Sequence, residues 1–170
     1  MSANKTGKFR CAVICASDKG FAGEREDTSG PLMCDLAREE GFEIIHFVLL
    51  PDDKEGLVAE IAKICDGNIA DLLLTTGGTG LSARDQMPEA TLEAADKAVP
   101  GIAEALRAFS MQKTPRAMFS RGVAAVRGKT LIVNMPGSPR AVEECVRYLL
   151  PNLEHALDML TVDSGECART

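Results

Sequence analysis

Tryptophan is absent and tyrosine occurs once, so aromatic residues make up only 4% of the 170 positions. Aromatic platforms on which bases could stack are therefore scarce. The net charge of −6 argues against the broad basic surface of a general nucleic-acid binder. It does not exclude an anionic small molecule, because fields are screened over about 8 Å at physiological salt and local groups decide. No apolar run approaches the ~18 residues of a membrane span. The N-terminal MSANKTGKFR has no apolar segment after its charges, as a secretory signal would require. The expectation is a soluble, cytoplasmic chain with neither a membrane nor a nucleic acid as partner.

Metal and nucleophile patterns are also thin. The six cysteines stand at positions 11, 15, 34, 65, 145 and 167, with no CxxC pair, and there are two histidines. That pattern makes no zinc site. Cys11 and Cys15 lie four apart in an apparent strand and share a face, so they read as small core residues. His46 and His155 have no serine or cysteine nearby in sequence, which favours packing or surface positions over catalysis.

What is present is a core. Hydrophobic residues make up 45% of the chain, enough for one ordinary domain without staples. Residues 1–170 are expected to form a single domain, with flexible termini at 1–7 and 162–170. Phe9 to Ser17 reads as a strand, followed by the charged loop KGFAGERED. Thr28 or Ser29 can cap the next helix, with Pro31 in its first turn and Gly41 as its stop. Glu43 to Leu50 is a second strand, broken by Pro51 and Asp52. Leu57, Val58, Ile61, Ile64 and Cys65 recur at helical spacing, and Gly67 ends that helix. Asp71 to Thr76 is a third strand. Its Leu72-Leu73-Leu74 run lacks alternation, as expected when both faces are covered. Pro88 to about Met111 reads as mostly helical with an interruption at Pro100-Gly101. Two strands, Val123 to Val126 and Thr130 to Asn134, flank Arg127-Gly128-Lys129. A final helix carries Val142, Cys145, Val146, Leu149 and Leu153 on one stripe and is kinked or divided at Pro151. This alternation implies an α/β fold: three layers, doubly wound, with a mostly parallel sheet and helices on both faces.

In such sheets ligands bind beyond the carboxyl ends of the strands. The loop after the third strand, TTGGTGLSARD, ends an apolar run abruptly in glycines and threonines. Glycines allow close backbone approach and positive φ, and turns of this kind form anion-binding concavities. Phosphate is the ligand chemistry that suits it. No lysine follows Gly80, so the P-loop pattern fails. Gly78-x-Gly80-x-x-Ala83 matches a dinucleotide fingerprint only weakly, because Asp85, Met87 and Pro88 interrupt the helix that should follow. A second glycine turn, NMPGSPR at 134–140, has Ser138 as a cap and Pro139 at the first helical position. If both turns face one crevice, the ligands carry several phosphates. Asp18, Asp27, Asp52 and Asp85 all follow strand ends, and carboxylates beside phosphates call for Mg²⁺ between them. Arg84, Arg121, Arg127 and Arg140 are candidates for compensating positive charge.

Three stretches together, SDKGFAGEREDTSG at 17–30, TTGGTG at 75–80 with RDxxPEAT at 84–91, and NMPGSPRAVEE at 134–144, resemble the MogA/MoaB family of molybdenum-cofactor biosynthesis proteins. The resemblance extends over roughly residues 8 to 160, and the first stretch is closer to the MogA type. It implies a molybdopterin adenylyltransferase that uses ATP and Mg²⁺ to transfer AMP to the terminal phosphate of molybdopterin, releasing pyrophosphate. It also implies a homotrimer and a MoeA-type partner for molybdate insertion. By position, Asp52 and Asp85 match the family's catalytic acidic residues and are the tentative Mg²⁺ ligands. Thr76, Gly77, Gly78, Thr79 and Gly80 match the phosphate-cradling loop, and Pro136, Gly137 and Ser138 the second loop. Ser17, Asp18, Asp27 and Ser29 match the first-strand motif, and Ser120 and Arg121 an SR pair near the site. Met87 stands where the family commonly has Thr, and Ala125 where Gly is common. Two rival readings share the crevice. One is a non-catalytic molybdopterin carrier or scaffold, against which retention of Asp52 and Asp85 argues. The other is a CinA-like nucleotide pyrophosphate hydrolase, which usually carries an extra domain.

Overall fold

A computed structural model describes residues 9–161; the termini expected to be flexible, 1–7 and 162–170, lie outside the described residues. In chain order the elements are β1 (Arg10–Ala16), α1 (Asp18–Phe21), α2 (Ser29–Glu39), β2 (Glu43–Leu50), α3 (Lys54–Asp66), β3 (Leu72–Thr76), α4 (Met87–Ala94), β4 (Lys97–Ala98), α5 (Pro100–Met111), β5 (Ala124–Arg127), β6 (Thr130–Met135), α6 (Pro139–Leu149) and α7 (Glu154–Thr161). Short 3₁₀ turns at Pro115–Phe119 and Leu150–Asn152 complete the described chain.

The six strands form one sheet in the order β2-β1-β3-β6-β5-β4. β2, β1, β3 and β6 run parallel. β5 is antiparallel to β6, and β4 to β5. The Leu72-Leu73-Leu74 run is accounted for by two cores, one on each face of the sheet. Leu72 and Leu74 join Cys11, Val13, Leu131 and Val133 against α2 and α6. Leu73 joins Ala12, Ile14 and Ile132 against α3 and α4. A central parallel strand covered on both sides needs no polar face. The three-layer, mostly parallel architecture expected from the sequence is the one observed.

Several local details differ from the sequence reading. The loop after β1 contains a single helical turn, α1, capped by Ser17, whose side chain accepts from the Gly20 N–H. Thr28 occupies the N-cap of α2, but its side chain makes no cap hydrogen bond. Asp27 does that work, its Oδ1 accepting from the N–H groups of Ser29 and Gly30. The stretch read as mostly helical, 88–111, is divided by β4, whose two residues pair with Val126 and Ala125. Neither edge residue is buried, so no hydrophobic alternation announced the strand. The division expected near Pro151 occurs, as the 3₁₀ turn between α6 and α7.

Candidate active site

β1 and β3 are neighbours, and so are β3 and β6, all parallel. The loops after Ala16, Thr76 and Met135 therefore emerge side by side. Hydroxyl groups tie them together. Thr76 Oγ1 donates to the Pro136 carbonyl at 2.7 Å, and Ser29 Oγ donates to the Gly137 carbonyl at 2.8 Å. The glycine turn makes a close approach possible. Gly77 has φ of +89°, and a Cβ there would lie 2.1 Å from the Ala16 carbonyl oxygen. Gly78 has φ of +66°, and a Cβ there would lie 3.1 Å from Asp52 Oδ1. Only glycine meets both demands.

Between these loops lies a crevice of about 580 Å³. Ser17, Asp27 and Ser29 from the first loop, Asp52 from the second, Thr76, Gly77, Gly78 and Asp85 from the third, and Gly137 and Ser138 from the fourth all line it. The remaining sequence candidates sit elsewhere. Asp18 turns to Arg84, accepting from its Nε and Nη2 at 2.9 and 2.8 Å. Thr79 is buried. The Gly80 carbonyl accepts from Arg121 Nε at 2.6 Å, and Arg121 also bonds the Asp85 carbonyl and pairs with Glu89. Arg121 thus braces the glycine loop through its carbonyls. Ser120 and Pro136 line a second cavity of about 230 Å³ beneath α5 and α6. Of the arginines proposed as compensating charge, Arg127 pairs with Asp66 and Arg140 with Glu144, and neither lines the crevice. Arg25, which sequence reasoning passed over, does line it and donates to Ser17 Oγ at 3.2 Å. Cys15, Glu26 and Thr28 also line it. Cys15 stands at the carboxyl end of β1 and Arg25, Glu26 and Thr28 in the loop beyond it, and that placement was the available signal.

Electrostatics single out Asp52. The residue is half-buried, and its Oδ1 is buried without a hydrogen-bond partner; among the buried side-chain nitrogen and oxygen atoms of the described residues, only Asp27 Oδ2 shares that state. Burial pushes the Asp52 carboxyl above the ordinary aspartate range, and the charges of Asp18 and Asp85 push the same way against the Asp18 N–H and Arg84. A buried carboxylate oxygen left bare beside like charges is costly unless a cation or donor arrives. Burial, followed by the Asp27 charge, also pushes the Cys15 thiol up to about 12. His46 bonds Glu60 on the outer edge of the sheet, and His155 is exposed on α7.

A family profile described as "Probable molybdopterin binding domain" matches residues 12–155. The chain belongs to this family. Among its relatives, the molybdopterin adenylyltransferase of Helicobacter pylori J99 is 35% identical over 150 residues, covering 87% of this chain and 85% of that protein. The molybdopterin adenylyltransferase of Escherichia coli K12 is 34% identical over 139 residues, covering 80% and 71%. The crystal structure of the molybdopterin biosynthesis enzyme MoaB from Thermus thermophilus superposes with a TM-score of 0.85 at 44% identity, over 91% of this chain and 98% of that one. The family and its solved relatives thus account for the fold.

Proposed function

We propose that this chain is a molybdopterin adenylyltransferase of molybdenum-cofactor biosynthesis, acting as a single domain. The observation that carries the reading is the bare Asp52 Oδ1 held against the Gly77-Gly78 turn, with Asp85 lining the same crevice. The relatives named as adenylyltransferases supply the substrates, ATP and molybdopterin.

In this reaction an oxygen of the terminal phosphate of molybdopterin attacks the α-phosphorus of ATP. A new P–O bond forms, the bond to the bridging α–β oxygen breaks, and pyrophosphate leaves with that electron pair. No covalent enzyme intermediate is required, so positioning and charge neutralisation carry the catalysis. Thr76, Gly77, Gly78, Gly137 and Ser138 would cradle phosphates, and Arg25 would add a guanidinium suited to them.

The residues fit Mg²⁺. Among the described residues no group of three or more His, Cys, Asp or Glu could hold a metal ion unaided. Mg²⁺ commonly takes one or two carboxylates and completes its shell with phosphate oxygens and water. Asp52, through its bare Oδ1, and Asp85 are the residues that would hold it. Once bound, the ion would neutralise charge on the triphosphate. The same reading includes a homotrimer, a MoeA-type recipient of the product and a cytoplasmic location. The exposed apolar side chains Met111, Met118 and Phe119 are consistent with contact between copies. No helix among the described residues is long and apolar enough to cross a membrane.

The test is to mix purified protein with molybdopterin, ATP and Mg²⁺ and to assay adenylated molybdopterin and pyrophosphate together. Both products are expected. Tight molybdopterin binding with neither product would make the chain a carrier. AMP released without molybdopterin would make it a hydrolase.

A further inference from the structure

Asp18 does not line the crevice, yet its contacts converge on the residue that does. The Asp18 N–H donates to Asp52 Oδ2 at 3.0 Å, and the Asp52 N–H donates to Asp18 Oδ1 at 2.9 Å. This reciprocal pair joins the loop after β1 to the loop after β2. Arg84, from the loop after β3, grips both oxygens of Asp18 at 2.8 and 2.9 Å. The consequence for Asp52 is directional. Its Oδ2 is held by backbone, so its Oδ1 is left bare and faces the glycine turn.

We propose that Arg84 and Asp18 are positioning residues, which act through Asp52 to hold its free oxygen toward the crevice without touching substrate themselves. Two facts favour orientation over stability as their role. The ion pair is exposed, with 61% of the Arg84 side chain and 42% of the Asp18 side chain open to solvent, and such pairs add little to folding. Its geometry is nevertheless the two-pronged one that fixes a carboxylate in direction as well as distance. Arg84 also offsets the Asp18 charge, which otherwise stands directly against Asp52. Three loops from three strands are thereby locked around one oxygen atom.

This inference rests on the adenylyltransferase reading for its kinetic consequence but not for its geometry, and the tests separate the two. Arg84→Ala should lower kcat about 10-fold to 100-fold, the scale of a small misplacement of a catalytic group. Its KM for molybdopterin and its melting temperature should change little. Arg84→Lys should recover only part of the loss, because lysine cannot make the two-pronged contact. Calorimetric binding of α,β-methylene ATP with Mg²⁺ supplies a double-mutant cycle with Asp52→Ala. Arg84→Ala should weaken binding in the wild-type background and have no further effect once Asp52 is gone. Additive losses, or an Arg84→Ala protein that binds and turns over as wild type, would overturn the proposal. A crystal structure of Arg84→Ala gives a readout that needs no nucleotide: the Asp52 carboxylate should swing from its present direction, and an unmoved Asp52 sinks the idea. If Asp52→Ala kept full turnover, the active-site assignment would fall, whereas an inactive Asp52→Ala beside a fully active Arg84→Ala would remove only the positioning role.

Discussion

Asp85 lines the crevice, and its Oδ2 accepts from the Ser82 N–H at 2.8 Å. Asparagine can keep that contact through its carbonyl oxygen while losing the charge. Asp85→Asn is therefore expected to melt within a few degrees of wild type and to lose about 100-fold or more in turnover, the scale of removing one group that stabilises developing charge. Wild-type turnover in a coupled pyrophosphate assay would remove Asp85 from the mechanism. Cys15 lines the same crevice but carries a proton, its thiol pushed up to about 12 by burial first and then by Asp27. Since the thiolate is the reactive form, peptide mapping after iodoacetamide treatment at pH 8 should find Cys15 almost unmodified. The two departures from the family pattern resolve at this scale as well. Ala125 sits in β5 opposite Ile132, and Asn68 is the one non-glycine residue with positive φ among those described, so the backbone at 125 does not call for glycine. Met87 is fully buried in the core beneath α3, and its N–H donates to the Gly78 carbonyl. Its side chain therefore packs the underside of the glycine loop, where a threonine would bring a hydroxyl into an apolar layer.

The glycine turn is an element whose shape depends on one missing atom. A Cβ at Gly77 would meet the Ala16 carbonyl oxygen at 2.1 Å, with φ of +89°. Gly128, in the turn between β5 and β6, has φ of +55°, but a Cβ added there would find nothing within 4 Å. Gly77→Ala is expected to cost more than about 3 kcal/mol, since backbone must move. Gly128→Ala should cost about 1–2 kcal/mol, the penalty of the left-handed region alone. Thermal unfolding of the two variants side by side checks the contrast, and equal losses would refute it. Elements of this kind were largely legible in the chain. Glu43–Leu50 has the expected bounds, and the glycine loop sits at a strand's carboxyl end as anticipated. β4 was not legible, because two exposed residues hold their place only through pairing with β5. Neither was the Asp27 cap, since threonine and serine stand at equally plausible positions and only the chain's path selects the aspartate.

Across the whole molecule, the crevice and the part-buried Arg10–Asp71 charge pair lie at opposite ends of the sheet. Arg10 opens β1 and donates to both oxygens of Asp71, which precedes β3. Burial alone would raise the Asp71 carboxyl, but hydrogen bonds from the Arg10 side chain and backbone N–H outweigh it and leave it lowered. A lowered carboxyl contributes stability above its ordinary value and loses it as pH falls through the lowered one. Asp71→Asn should thus be about 1–2 kcal/mol less stable at pH 7, a fall of roughly 2–8 °C in a chain of this size. The gap should narrow as pH drops below ~4, and turnover per folded molecule should be unchanged. A gap that widens in acid would reverse the assignment. Pattern along the chain was enough for the class of fold, most of the strands and helices that build it and, through three motifs, the family, because each rests on local spacing or on a run of neighbouring residues. It could not tell that, of the four loop aspartates, Asp27 and Asp52 each keep a bare buried oxygen while Asp18 does not. Asp18 and Asp52 differ in nothing local. They part company because β1, β2 and β3 lie side by side, which brings Arg84 to one of them and the Gly77-Gly78 turn to the other.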